Sequence, residues 1–102
     1  MKKQAVVIHA KDNVATCVDY FPAGSTISFF RGGVEGSLQL LQDIPLGHKV
    51  ALCPISRNED IIKYAESIGI ATVDLKPGQH VHVHNMESRR GRGDLNPFRE
   101  EK

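Results

Sequence analysis

The 102-residue sequence has no tryptophan, only two cysteines and no long apolar run, and its 13 Lys and Arg nearly balance its 12 Asp and Glu. Each shortage excludes something. Cys17 and Cys53 lie far apart and form no Cys-x-x-Cys pair, which argues against a disulfide framework or zinc knuckle; both are expected as small buried hydrophobes. The apolar stretch Ala5, Val6, Val7, Ile8 is too short for a signal-peptide core or a membrane span, so a cytoplasmic protein without membrane contact is expected. A formal net charge of +1 gives the chain no overall attraction for nucleic acid. The spacings Gly-x-Gly-x-x-Gly and Gly-Lys-Ser/Thr are both missing, so nothing indicates a nucleotide site.

What is present reads as strand. Short β-branched runs, broken by glycine or proline, cover residues 5–8, 14–18, 27–30, 38–41, 50–55, 68–73 and 81–83. Three segments repeat one pattern, an aspartate followed by proline, glycine and a β-branched residue: Asp19 with Pro22 and Gly24, Asp43 with Pro45 and Gly47, and Asp74 with Pro77 and Gly78. Each is expected to be a turn that opens a strand. Residues 31–37, with three glycines, read as a flexible loop. Residues 58–68 offer helical spacing through Ile61, Tyr64, Ala65 and Ile68, although residues 61–64 fit a strand equally. A mainly β domain over residues 1–85 is therefore expected, with short irregular strands and at most one or two short helices. Residues 86–102 read as a polar arm rich in arginine (Arg89, Arg90, Arg92, Arg99), better suited to pairing with carboxylates on a partner than to binding RNA.

The residues able to do chemistry concentrate near His80, His82 and His84. Alternation with Val81 and Val83 puts all three imidazoles on one face of a strand, where two of them can converge on a divalent ion of the zinc or iron kind. A histidine-rich solvated face is the plain alternative. His48 and Lys49 follow the second turn, and Lys63 sits between Ile62 and Tyr64. These groups can move a proton beside a carboxylate, or they can simply be surface polarity.

Taken in order, residues 8–15 (Ile-His-Ala-Lys-Asp-Asn-Val-Ala), 43–52, 62–64, 68–71 and 82–85 (His-Val-His-Asn) resemble the SAF-type N-terminal domain of altronate and galactarate dehydratases. The similarity runs from about Val6 to Asn85, and residues 87–94 are similar to the stretch that follows this domain in such proteins. The resemblance implies a β-clip fold and a role as the small subunit of a hydro-lyase. Such an enzyme removes water from a hydroxylated aldonic or aldaric acid together with a separate large catalytic subunit, so the chain is expected to be inactive alone. It further implies a divalent metal, iron in this family, shared with the large subunit. On that basis His48, Lys63 and His82 are expected as catalytic groups, Lys49, His84 and Asn85 as substrate contacts, and His82 with His84 as metal ligands; His80 is set aside as their neighbour. The small subunit of sulfolactate sulfo-lyase is similar too, with sulfite as the leaving group, and a sugar-acid-binding module without chemistry is a third option. The expected partners are the large subunit, a small hydroxy acid and further copies of the chain.

Overall fold

Four tight turns frame the molecule. The computed structural model describes residues 4–88. Gly24, Gly47 and Gly78 have φ of 89°, 81° and 89°. Their turns close through hydrogen bonds from Ser25 to Pro22, His48 to Pro45 and Gln79 to Lys76. Positive φ at the third position is the type II geometry that glycine allows. The repeated turn expected from the sequence is therefore present in all three copies. A fourth copy was not expected: Glu59 N–H donates to the Ser56 carbonyl, with Asn58 at φ 75° in the glycine position. Asparagine is among the few other residues that tolerate this region.

Each turn opens a strand. The chain runs β1 (Ala5–Val6), β2 (Val14–Cys17), β3 (Thr26–Arg31), β4 (Val34–Gln39), β5 (Lys49–Ala51), β6 (Asp60–Lys63), β7 (Glu66–Ala71), β8 (His80–Val81) and β9 (Met86–Glu87). Six strands form one sheet in the order β4-β3-β1-β2-β5-β8, and β6-β7-β9 form a second. All pairs are antiparallel except β1 with β3.

The two halves of the chain mirror one another. Phe21 bridges Ile44, as Ile55 bridges Leu75. Asp43 accepts the Ala23 N–H, as Asp74 accepts the Arg57 N–H, both at 2.8 Å. A hairpin follows the first turn in each half, β3–β4 and then β6–β7. There are two apolar cores: one around Ile27, Leu40, Ile44 and Val50, the other around Ile55, Ile61, Leu75 and Val81, to which Val14 and Ala51 of the first half also contribute. Burying such a side chain stabilises by about 1.5–3 kcal/mol, so the two clusters hold the short strands together.

One open alternative is decided and two expectations change. Residues 58–68 contain no helix; they form most of the β6–β7 hairpin, turning at Tyr64 and Ala65. Residues 31–37 are not a loose loop, because β4 begins at Val34 and pairs with β3 along its length. Gly36 serves the packing there: a Cβ would lie 2.7 Å from Phe29 Cζ, so the ring lies over the glycine. The strand expected through His84 ends at Val81. At the other end the second sheet gains β9 beyond Asn85, and Met86 packs on the second core. Arg89, Arg90, Arg92 and Arg99 lie outside the described residues.

Candidate functional site

Strand register assembles the site. β5 and β8 pair antiparallel with Lys49 opposite Val81 and Val50 opposite His80. Continuing one step sets His48 opposite His82, and their rings stack with centroids 4.0 Å apart and planes 13° apart. His48 Nδ1 also lies 2.9 Å from His80 Nε2. His80, set aside on sequence grounds, is thus central. His84 is exposed and only tilts against His80, with ring centroids 5.1 Å apart.

The chain leaves β8 because Asn85 intercepts it. The buried Asn85 amide accepts the His82 N–H at 2.9 Å and donates to the His80 carbonyl at 2.7 Å. The Asn85 N–H donates to the His82 carbonyl at 3.0 Å. A side-chain amide that takes over neighbouring backbone groups competes with the sheet ladder. Asn85, expected as a substrate contact, has its side chain hydrogen-bonded to the loop that carries the histidines.

His48, His80 and His82 each offer a ring nitrogen within 4.8 Å of the other two, a set that could hold a metal ion. Two imidazole nitrogens on one ion at about 2.1 Å lie roughly 3.0–3.4 Å apart, so the three rings would have to turn out of their stacked arrangement to converge. His82 Nδ1 is buried without a hydrogen-bond partner among the described residues, the kind of orphaned atom that a cation or a proton donor would satisfy. Burial, then the basic neighbours His84, His48, His82 and Lys49, push His80 below its ordinary value. Burial, then His48, Lys49 and His84, do the same to His82. Both rings are therefore biased toward the neutral form, whose lone pairs ligate metal or accept a proton.

Lys49 extends the cluster. It opens β5 opposite Thr16, and burial followed by the nearby Lys63 ammonium lowers its pKa. Lys63 ends β6, its Nζ 5.2 Å from the centre of the Tyr64 ring. The groups acting electrostatically on Lys49, His80 and His82 are all basic side chains, of which Lys49 and Lys63 carry the positive charge at neutral pH. Such a surface favours an anion. Among the described residues no helix is long and apolar enough to cross a membrane.

Two residues whose function the sequence left unassigned support this wall. Asp12 is fully buried, and its carboxylate accepts the N–H groups of His9, Tyr64 and Ala65 at 3.0, 3.2 and 2.8 Å. Asn13 accepts the Ile62 N–H at 2.7 Å and donates to the Asp60 carbonyl at 2.9 Å. Their presence in the segment of residues 8–15 that carries the family resemblance was the available signal. Of the two cysteines, Cys17 is buried as expected, with its thiol pushed up to about 11 by burial, whereas Cys53 is half-buried and lines an open cavity with Asn13 and Asp60.

Comparison with known proteins shows the family. Residues 3–89 match the model of the altronate/galactarate dehydratase SAF domain. The altronate dehydratase of Escherichia coli (strain K12) is 38% identical over 94% of this chain but 18% of its own length; that of Bacillus subtilis (strain 168) is 37% identical over 84% and 16%. The chain thus spans less than a fifth of those two relatives. The (2R)-sulfolactate sulfo-lyase subunit alpha of Chromohalobacter salexigens is 33% identical over 82% of this chain and 94% of its own length. Its homologues are dehydratases and lyases. With its sheets, turns and histidine cluster in place, the chain belongs to the altronate/galactarate dehydratase SAF domain family.

Proposed function

We propose that this chain is the small subunit of a sugar-acid dehydratase, acting in the cytoplasm with a separate large catalytic subunit on a hydroxylated aldonic or aldaric acid. The observation that carries it is the clustering of His48, His80 and His82, with Lys49 acting on His80 and His82 and Lys63 acting on Lys49. Lys49 and Lys63 suit the carboxylate of such an acid. The histidines suit proton transfer beside it: a base removes the proton on the carbon next to the carboxylate, and the C–O bond at the following carbon breaks. The departing hydroxyl takes a proton and leaves as water, and the resulting enol becomes a 2-keto-3-deoxy acid. His48, touching His80, and His82, stacked on His48, are placed to hold and return that proton. A divalent metal, iron by family resemblance, fits His48, His80 and His82, and would supply Lewis-acid polarisation of the substrate oxygens. The exposed His84, next to His80, would be available to substrate.

The test is to purify the chain alone and with a large dehydratase chain of the family, then assay 2-keto-3-deoxy acid formation from altronate and galactarate. Turnover by the mixture and by neither part supports the proposal. Stable assembly without turnover of any sugar acid sinks it. A sulfo-lyase role is the second reading, favoured because the chain spans nearly all of a sulfo-lyase subunit alpha; sulfite release from sulfolactate by the same mixture would establish it.

A further inference from the structure

The hairpin that carries Lys63 turns in an unfavourable way. Tyr64 and Ala65 occupy the two central positions between the paired residues Lys63 and Glu66, with φ of 59° and 62°. Two consecutive positive φ values define the type I′ turn, where Asn-Gly is the preferred sequence. Tyrosine and alanine carry a steric cost there, and such strain persists only where surrounding structure enforces it. The enforcing group is Asp12, whose buried carboxylate accepts both turn N–H groups. Asp12 is itself fixed: Arg31 donates to its carbonyl at 2.8 Å and to that of Ala10 at 3.0 Å. Asn13 grips the same hairpin at Asp60 and Ile62, while the Leu52 N–H, just past β5, donates to the Asn13 carbonyl. The Asp12-Asn13 pair therefore ties the hairpin of the second sheet to the strands that carry Lys49 and the histidines.

We propose that Asp12 is a positioning residue that holds the strained Tyr64-Ala65 turn, and with it Lys63 at the end of β6, so that the Lys63 ammonium meets a substrate carboxylate. This rests on the hydroxy-acid site proposed above. A simple stabilising role would be served as well by an Asn-Gly turn that needs no buried carboxylate. What the clamp adds is the fixed placement of Lys63, with the exposed Tyr64 ring alongside it.

The experiment compares wild type, Asp12→Ala, Asp12→Asn and Asp12→Ala with Ala65→Gly. On the full chain, NMR follows amide exchange at Tyr64 and Ala65 and the cross-peaks between the hairpin and β2. In the two-chain complex, KM and kcat are measured with galactarate. Asp12→Ala is expected to speed exchange at both amides by about 10-fold or more, weaken the cross-peaks, and raise KM by about 10-fold with kcat changed less than about 3-fold. Glycine at position 65 relaxes the turn and should restore much of KM. Asp12→Asn, which keeps one acceptor oxygen, gives an intermediate loss and serves if the alanine variant does not fold. Freed amides with unchanged KM would overturn the positioning role, as would cross-peaks that survive in Asp12→Ala. If wild-type complex turns over no hydroxy acid, the function proposed above fails, and the cross-peaks still decide whether Asp12 places the hairpin.

Discussion

His48 Nδ1 lies 2.9 Å from His80 Nε2 although the two residues come from different turns of the chain. At that distance two nitrogens must share a proton or face a common cation, since two bare lone pairs or two N–H groups would repel. Either arrangement depends on the β5–β8 register, which Val50 and His80 set by pairing.

Metal binding should follow this geometry. Replacing His48, His80 or His82 with alanine is expected to weaken cobalt(II) or zinc binding by ~100-fold or more, because each removes one of three donors. Replacing the exposed His84 should change it less than about 3-fold. Calorimetric titration of the four variants checks this; an equal effect of His84→Ala would move the metal site toward the loop tip.

Asn85 should matter through the loop it shapes. Asn85→Ala leaves the His82 N–H and His80 carbonyl without their partner and is expected to cost about 1–3 kcal/mol in urea unfolding. The same variant should lose about 10-fold in metal affinity, the effect of freeing a ligand from its support. Stability without any change in metal affinity would show that the histidines hold their places unaided.

Asp12 should set the acid limit of the fold. Although burial works against its charge, hydrogen bonds from Ala65, His9 and Tyr64, with the charge of His9, hold its pKa below the ordinary 3.8. A depressed folded pKa contributes stability that is present above the unfolded value and lost as pH falls through the folded one. Wild type should therefore weaken as pH drops below about 4, and Asp12→Ala, about 2–4 kcal/mol less stable at pH 7, should lose less over that interval. Urea midpoints at pH 7 and pH 3 measure both.

Two of the turn glycines should respond unequally to alanine. Both Gly24 and Gly78 have φ of 89°, but a Cβ at Gly24 meets nothing within 4 Å, whereas one at Gly78 falls 2.2 Å from the Gln39 carbonyl oxygen. Gly24→Ala should cost about 1–2 kcal/mol from backbone strain alone, and Gly78→Ala at least about 3 kcal/mol. Thermal unfolding of the pair distinguishes a merely strained turn from one that also requires close backbone approach.

Much of the fold was visible because it is written locally. Proline and glycine at Pro22, Gly24, Pro45, Gly47, Pro77 and Gly78 announce turns whatever surrounds them, and β-branched runs announce strands. The fourth turn escaped notice because Asn58 takes the glycine's place with a side chain, a substitution that local rules do not single out. The β6–β7 hairpin stayed ambiguous because Ile61, Tyr64, Ala65 and Ile68 fit a helical stripe, and what decides against it, the Asp12 carboxylate on Tyr64 and Ala65, comes from far earlier in the chain.

The sequence by itself determined the class of fold, the turns and the family, since each depends on residue types at short spacing or on an ordered run of motifs. Only the tertiary structure decided which histidines meet. Alternation along one strand pointed to His80, His82 and His84 on a shared face, yet Asn85 ends that strand early and the register brings in His48 from a neighbouring turn. Cross-strand register and a buried amide are long-range relations, fixed by how the cores pack, and no spacing along the chain encodes them.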